Sequence, residues 1–185
     1  MSHHVYTTRG VVLSLKPTKE ADKLATILTR DLGLIHGSAR GIRKLDSKLS
    51  SPLSELALVR VSLVKGKRSW RVTTTGLIRN SYVELRQNRK ALEALSRIFG
   101  LLRTMVRGED KNIELYDELE ENLLNMLDDQ KKDPEIWELY TVSRLLSHLG
   151  YLSKDKIPKS FEDVEERKKE FVSLVNFGIH ESGLS

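Results

Sequence analysis

A chain of 185 residues, 39% apolar and 31% charged, can build one domain or two small ones with true cores. No run approaches the roughly 18 apolar residues of a membrane span, the start "MSHHVYTTRG" lacks the cationic-then-apolar order of a secretory signal, and the absence of cysteine excludes disulfides and thiolate metal sites, so a cytoplasmic location is expected. The net charge of +5 divides into +10 over residues 1–79 and −5 over 80–185, which predicts that the first half meets a polyanion, with nucleic acid favoured over chance clustering of solvated charge.

The first 79 residues predict strands. "VYTTRGVVLSL" (5–15) is rich in β-branched residues around Gly10, and "KLATILT" (23–29) alternates, with Ala25 and Ile27 on one side. "RDLG" (30–33) supplies a turn into the shorter strand "LIHGSAR" (34–40). "ELALVRVSLVK" (55–65) turns Ala57, Val59, Val61 and Leu63 one way and Arg60 and Ser62 the other, and "GKRS" (66–69) is a hairpin signal leading to "WRVTTTGLI" (70–78). Five short strands in this span suit a small barrel, which closes on itself and leaves no open sheet edge. A domain boundary is expected near "IRNS" (78–81), giving domains 1–79 and 80–185.

Beyond the boundary the period becomes helical. Leu92, Leu95, Phe99, Leu102 and Val106 mark a first helix, and Tyr116, Leu119, Leu123 and Met126 or Leu127 mark a second after "GEDKN". A third starts sharply, with Asp133 as cap and Pro134 in the first helical position, buries Leu139, Val142, Leu146 and Leu149, and stops at Gly150. "SFEDVEERKKEFVSLV" (160–175) predicts one last, highly charged surface helix.

Nothing in the chain asks for an enzyme. His3, His4, His36, His148 and His180 show no ligand spacing with a third donor, so no metal and no cofactor is expected. "GSARGI" lacks the Gly-Lys-Ser/Thr ending of a phosphate loop, and the acidic run "DELEEN" (117–122) suits a solvated helix face.

Several pieces then line up in order. The stretch "GVVLSLKPTKEADKLATILTRDLGLIHGSARGIRKLDSKLSSPLSELALVRVSLVKGK" (10–67) carries Gly10-Val11-Val12-Leu13, then Glu20 and Asp22, Thr29 four residues before Gly33, Ala39-Arg40-Gly41, Ser47-Lys48 and the stretch 53–67. The switch to helices follows, then "LLSHLGY" (145–151). In this arrangement the chain resembles the RecO family of recombinational repair proteins. The resemblance implies an α+β fold, with a five-stranded OB-fold barrel and then an all-helical bundle. It also implies binding of single- and double-stranded DNA, annealing of complementary strands, contact with RecR and with the tail of single-stranded DNA-binding protein, help in loading recombinase onto coated single strands, and a place at the nucleoid. Many members carry a four-cysteine zinc module after the Leu-Gly-Tyr; "GYLSKDKIPKSFEDVEERKKEF" has none, so a shortened, zinc-free member is expected.

The cations nominate a DNA surface. Arg40, Arg43, Lys44 and Lys48 fall on the link between strands three and four; Lys65, Lys67, Arg68 and Arg71 crowd the second hairpin, and Arg60 lies on the polar side of its strand. Such a lane would bind phosphates by counterion release with little regard for sequence. Residues 1–79 hold only Tyr6 and Trp70 as aromatic rings, and Trp70 is expected in the barrel core, so stacking should contribute little. An acidic partner tail would want an apolar pocket rimmed by cations such as Arg97, Arg103, Arg107 and Arg144. Two other readings compete: a protein-interaction adaptor whose barrel binds no DNA usefully, and an RNA-binding barrel.

Overall fold

Alternation of apolar and polar side chains, which lets one face of a strand be buried, builds the first part of the molecule. The computed structural model describes residues 4–18, 20–42, 52–67 and 69–183. Its strands are β1 (Val5–Pro17), β2 (Lys23–Thr29), β3 (Gly33–Ala39), β4 (Ala57–Lys65) and β5 (Trp70–Asn80). They pair in the order β1-β2-β3-β5-β4 and close into a barrel, with β3 and β5 the parallel pair.

Closure depends on β1 serving two neighbours. Its first half pairs with β4 from Val5 to Val11 and its second half with β2 from Gly10 to Pro17. Gly10 belongs to both ladders, opposite Val59 on one side and Thr29 on the other. A Cβ at Gly10 would lie 2.7 Å from Ile27 Cγ2, so only glycine lets β2 approach this closely. Inside, Val12, Ala25, Ile27, Ile35, Val59, Val61 and Leu63 form the core with Trp70 and Val72. The expected inward set of β4 and the expected core position of Trp70 are both found.

The helices are α1 (Ser81–Leu85), α2 (Arg89–Met105), α3 (Ile113–Asp128), α4 (Pro134–His148), α5 (Phe161–Glu166) and α6 (Lys168–Glu181). α4 begins as its sequence dictates: Asp133 accepts hydrogen bonds from the N–H groups of Glu135 and Ile136, and Pro134 occupies the first turn. α2 buries Ala91, Ala94, Leu95, Ile98, Phe99 and Leu102, while Leu92 and, on α4, the flanking Leu149 are only half-buried. α4 packs against α2, α5 and α6. It is tied to α3 by the Trp137 indole N–H, which donates to the Asn122 carbonyl at 2.9 Å.

The single helix expected over 160–175 is two. The backbone leaves helical geometry at Arg167 (φ −114°, ψ 28°), whose guanidinium bonds Asp163 on one side and Glu170 on the other. Nor is this segment mere surface, because Val164, Phe171 and Val175 are buried. No linker separates strand from helix near residue 80, since β5 runs to Asn80 and α1 begins at Ser81. The chain divides into one unit of Met1–Glu84 with Arg107–Ile113, and a second of Leu85–Val106 with Glu114–Ser185. Among the described residues no helix is long and apolar enough to cross a membrane.

Candidate nucleic-acid interface

The nominated cations occupy different parts of the barrel unit. Arg43, Lys44, Lys48 and Arg68 lie outside the described residues. Arg40 is exposed on the turn after β3, and Lys67 is exposed in the hairpin between β4 and β5. Arg71 is exposed on β5 opposite Val64 of β4 and Ser38 of β3. On the short parallel β3–β5 ladder Arg71 stands opposite Ser38, while Arg40 follows two residues beyond the ladder and Lys67 precedes it in the hairpin.

Strand parity separates the others. On β4 the odd-numbered side chains enter the core, so Arg60 points outward, level with Gly76 on β5. Lys65 has inward parity and caps the barrel mouth. Its ammonium lies 5.2 Å from the Trp70 ring centroid and 2.7 Å from Glu109 Oε2. Glu109 also accepts the Trp70 indole N–H at 2.8 Å. The hydrogen bond from Lys65, then that from Trp70, hold the Glu109 carboxyl below the usual carboxylate range. Lys65 is thus already neutralised locally, whereas no ion pair of Arg40, Arg60, Lys67 or Arg71 is found among the described residues.

Glu109 was invisible to sequence reasoning, since it sits 39 residues from Trp70 and 44 from Lys65. It belongs to the segment Arg107–Ile113, which lies with the barrel. There the Gly108 carbonyl accepts the Leu34 N–H at 3.2 Å. Gly33 makes this contact feasible: its φ is +71°, and a Cβ would come within 2.5 Å of the Asp110 carbonyl oxygen. The motif Thr29…Gly33 is now physical, because the Thr29 hydroxyl donates to the Gly33 carbonyl at 2.8 Å and accepts the Leu32 N–H at 3.1 Å. Asp22 likewise accepts the Gly41 N–H at 2.8 Å, linking two of the quoted motifs.

Both rings of the first 79 residues are committed to packing. Tyr6 and Trp70 meet edge-to-face at 5.4 Å, and Trp70 is buried. His36 is exposed, with its Nδ1 3.2 Å from the Thr26 hydroxyl. Among the described residues no cluster of three or more His, Asp or Glu is placed to hold a metal.

The second set of arginines is divided between the two units, Arg107 in the first and Arg97, Arg103 and Arg144 in the second. Arg107 is exposed on the barrel's strap segment and Arg103 is exposed on α2. Arg144 makes a bidentate pair with Glu118, at 2.5 and 2.9 Å. Burial pushes Glu118 up, but the Arg144 hydrogen bond and charge, joined by Asn122 and His148, prevail and hold it below the usual range. Arg97 makes a bidentate pair with Glu138, at 2.7 and 2.5 Å. It lines a groove of about 670 Å³ between α2, α4 and α6, together with Leu101, Leu139, Val142, Val175 and Ile179 and the acids Glu135 and Glu138.

Residues 1–82 match the family model described as the N terminal of recombination protein O. Curated relatives extend the likeness into the helices. The chain is 30% identical over 148 residues to the DNA repair protein RecO of Dehalococcoides mccartyi, covering 80% of this chain and 57% of that protein. It is 32% identical over 149 residues to the protein of that name from Trichodesmium erythraeum, with 80% and 51% covered. For that of Thermodesulfovibrio yellowstonii the values are 27% over 147 residues, 80% and 58%. The chain therefore spans little more than half the length of these relatives.

Proposed function

The chain belongs to the RecO family, and from that premise we propose that it serves recombinational DNA repair by holding single and double strands on a basic OB-fold barrel. The observation that carries this reading is the closed barrel in the order β1-β2-β3-β5-β4, coincident with the family match, with Arg40, Arg60, Lys67 and Arg71 exposed on it. That strand order supports the OB assignment.

The mechanism follows from what the barrel offers and withholds. Its cations neutralise phosphates and release counterions. On its strands Trp70 is buried and Tyr6 is half-buried against it, so stacking on the strands contributes little and the pairing edges of the bases stay open. Two complementary strands thus lose mutual repulsion on one surface while remaining free to pair, which is annealing. In the second unit, the groove beside Arg97 offers an apolar floor and a cation to the acidic, apolar-tipped tail of single-stranded DNA-binding protein. The tail's carboxylate would take Arg97 from Glu138. Recombinase loading and a RecR contact complete the proposal, the latter with no surface assigned.

Annealing of complementary oligonucleotides, with binding to matched single-stranded DNA and RNA across salt, is the test. Accelerated annealing with a DNA preference supports the reading. Equal or stronger RNA binding favours an RNA-binding barrel, and no binding of either at low salt favours an adaptor. Loss of tail-peptide binding in Arg97→Glu would place the tail in the groove.

A further inference from the structure

Although the barrel closes, one stretch of strand edge has no partner among the described residues. β5 pairs with β3 only through Trp70 and Arg71, yet continues along β4 to Asn80. From Thr73 onward its other edge has no neighbouring strand among the described residues. Register shifts leave Thr73 and Ile78 as the extra residues of two irregularities, which frame a regular stretch over 74–77. The edge carries no lysine or proline over 73–78, and the two bulges limit its regular part to four residues. It exposes Leu77 (46%) and Ile78 (36%).

Parity defines what would fit. Thr74 and Gly76 share the outer face with Arg60 and Ser62, while Thr75 and Leu77 follow the inward parity of Val61 and Val59. Gly76 pairs with Arg60 and lies between it and that edge, and among the described residues nothing comes within 4 Å of where its Cβ would be. A strand added beside β5 would stand about 10 Å from β4, two strand spacings. Through the window at Gly76, a glutamate on that strand can reach the Arg60 guanidinium. Its alternate residues would cover Leu77.

We propose that the β5 edge over 74–77 receives an extended segment of a partner protein that alternates acidic with apolar side chains, added as a further strand to the barrel. Backbone hydrogen bonds supply the grip and the Arg60–Gly76 row selects acids on the outer face. A second copy of this chain fits less well, because each copy brings a barrel half of charge +10 and its own Arg60 to the junction.

The test is hydrogen exchange of the full chain with a short capped peptide alternating Glu and Val, alongside affinity measurements. Slowed exchange confined to residues 73–78 is expected. Arg60→Glu should weaken the peptide by about tenfold and restore binding to the matching Lys-Val peptide. Gly76→Val, whose Cβ meets nothing within 4 Å among the described residues, narrows the window and should also weaken the Glu-Val peptide. The proposal is overturned if these amides gain no protection, if binding instead follows Arg97→Glu, if an oligonucleotide gives the same protection, or if the amides are protected only by self-association.

Discussion

Glu109 holds two groups at once, the Lys65 ammonium and the Trp70 indole N–H. Glu109→Gln should leave an oxygen for the indole while releasing Lys65 to solvent and to phosphates. The expected outcome is a salt dependence of single-strand binding steeper by about 0.7 in log–log slope, read by titration at several salt concentrations. In the native protein the lowered Glu109 pKa means that the carboxylate form stabilises the fold. That contribution is present above the ordinary carboxylate range and fades as pH falls through the lowered value, and Trp70 fluorescence should follow it. Glu118 obeys the same sign, but within a mostly shielded pair. Glu118→Gln leaves the Arg144 guanidinium short of its countercharge and should cost about 2–3 kcal/mol at neutral pH in urea unfolding, with a shallower loss of stability toward acid. Neither acid could be nominated from sequence, since each finds its cation across a long separation. Arg97 and Arg144 read as available rim cations for the same reason: Glu138 and Glu118 lie 41 and 26 residues away.

At the scale of elements, local pattern was a good guide wherever burial follows a simple period. The inward row of β4, the capped start of α4 and the apolar stripe of α3 could all be read in advance. The division between α5 and α6 could not, because the charges of Arg167, Asp163 and Glu170 suit a continuous helix as well as a bridged break. α6 is held through Phe171, Val175 and Gly178. A Cβ at Gly178 would come within 2.9 Å of Leu146 Cδ1 and 3.1 Å of Leu152 Cγ. Gly178→Val should therefore lower stability by about 2 kcal/mol in denaturant unfolding, despite valine's better helix propensity. Gly178→Ala should cost less, since the leucine methyls can yield and alanine favours the helix.

Across the whole molecule, charge is the property most plainly written in the chain and least simply displayed by its surface. The +10 of residues 1–79 is real. Yet Lys65 is spent on Glu109, Arg79 on Glu84, and Arg60 faces a different side from the barrel mouth. If about five phosphates are contacted, log affinity for single strands should fall with log salt at a slope near −3 to −4. A flat response in equilibrium titrations would remove the electrostatic basis of the proposed function. The order of the strands could not be read from alternation, which says which face is buried but not which strands are neighbours.

The route of the backbone carries a last consequence. The chain leaves the barrel unit after Glu84, returns for Arg107–Ile113 and departs again. The barrel is thus not a cassette that a single cut can liberate. A fragment ending at Glu84 would lose Glu109 and the Gly108 carbonyl that meets Leu34, while a fragment carried through Ile113 must bring all of α2 with it. Any exchange of the barrel between homologous chains would therefore have to carry the 107–113 segment with it to keep these contacts.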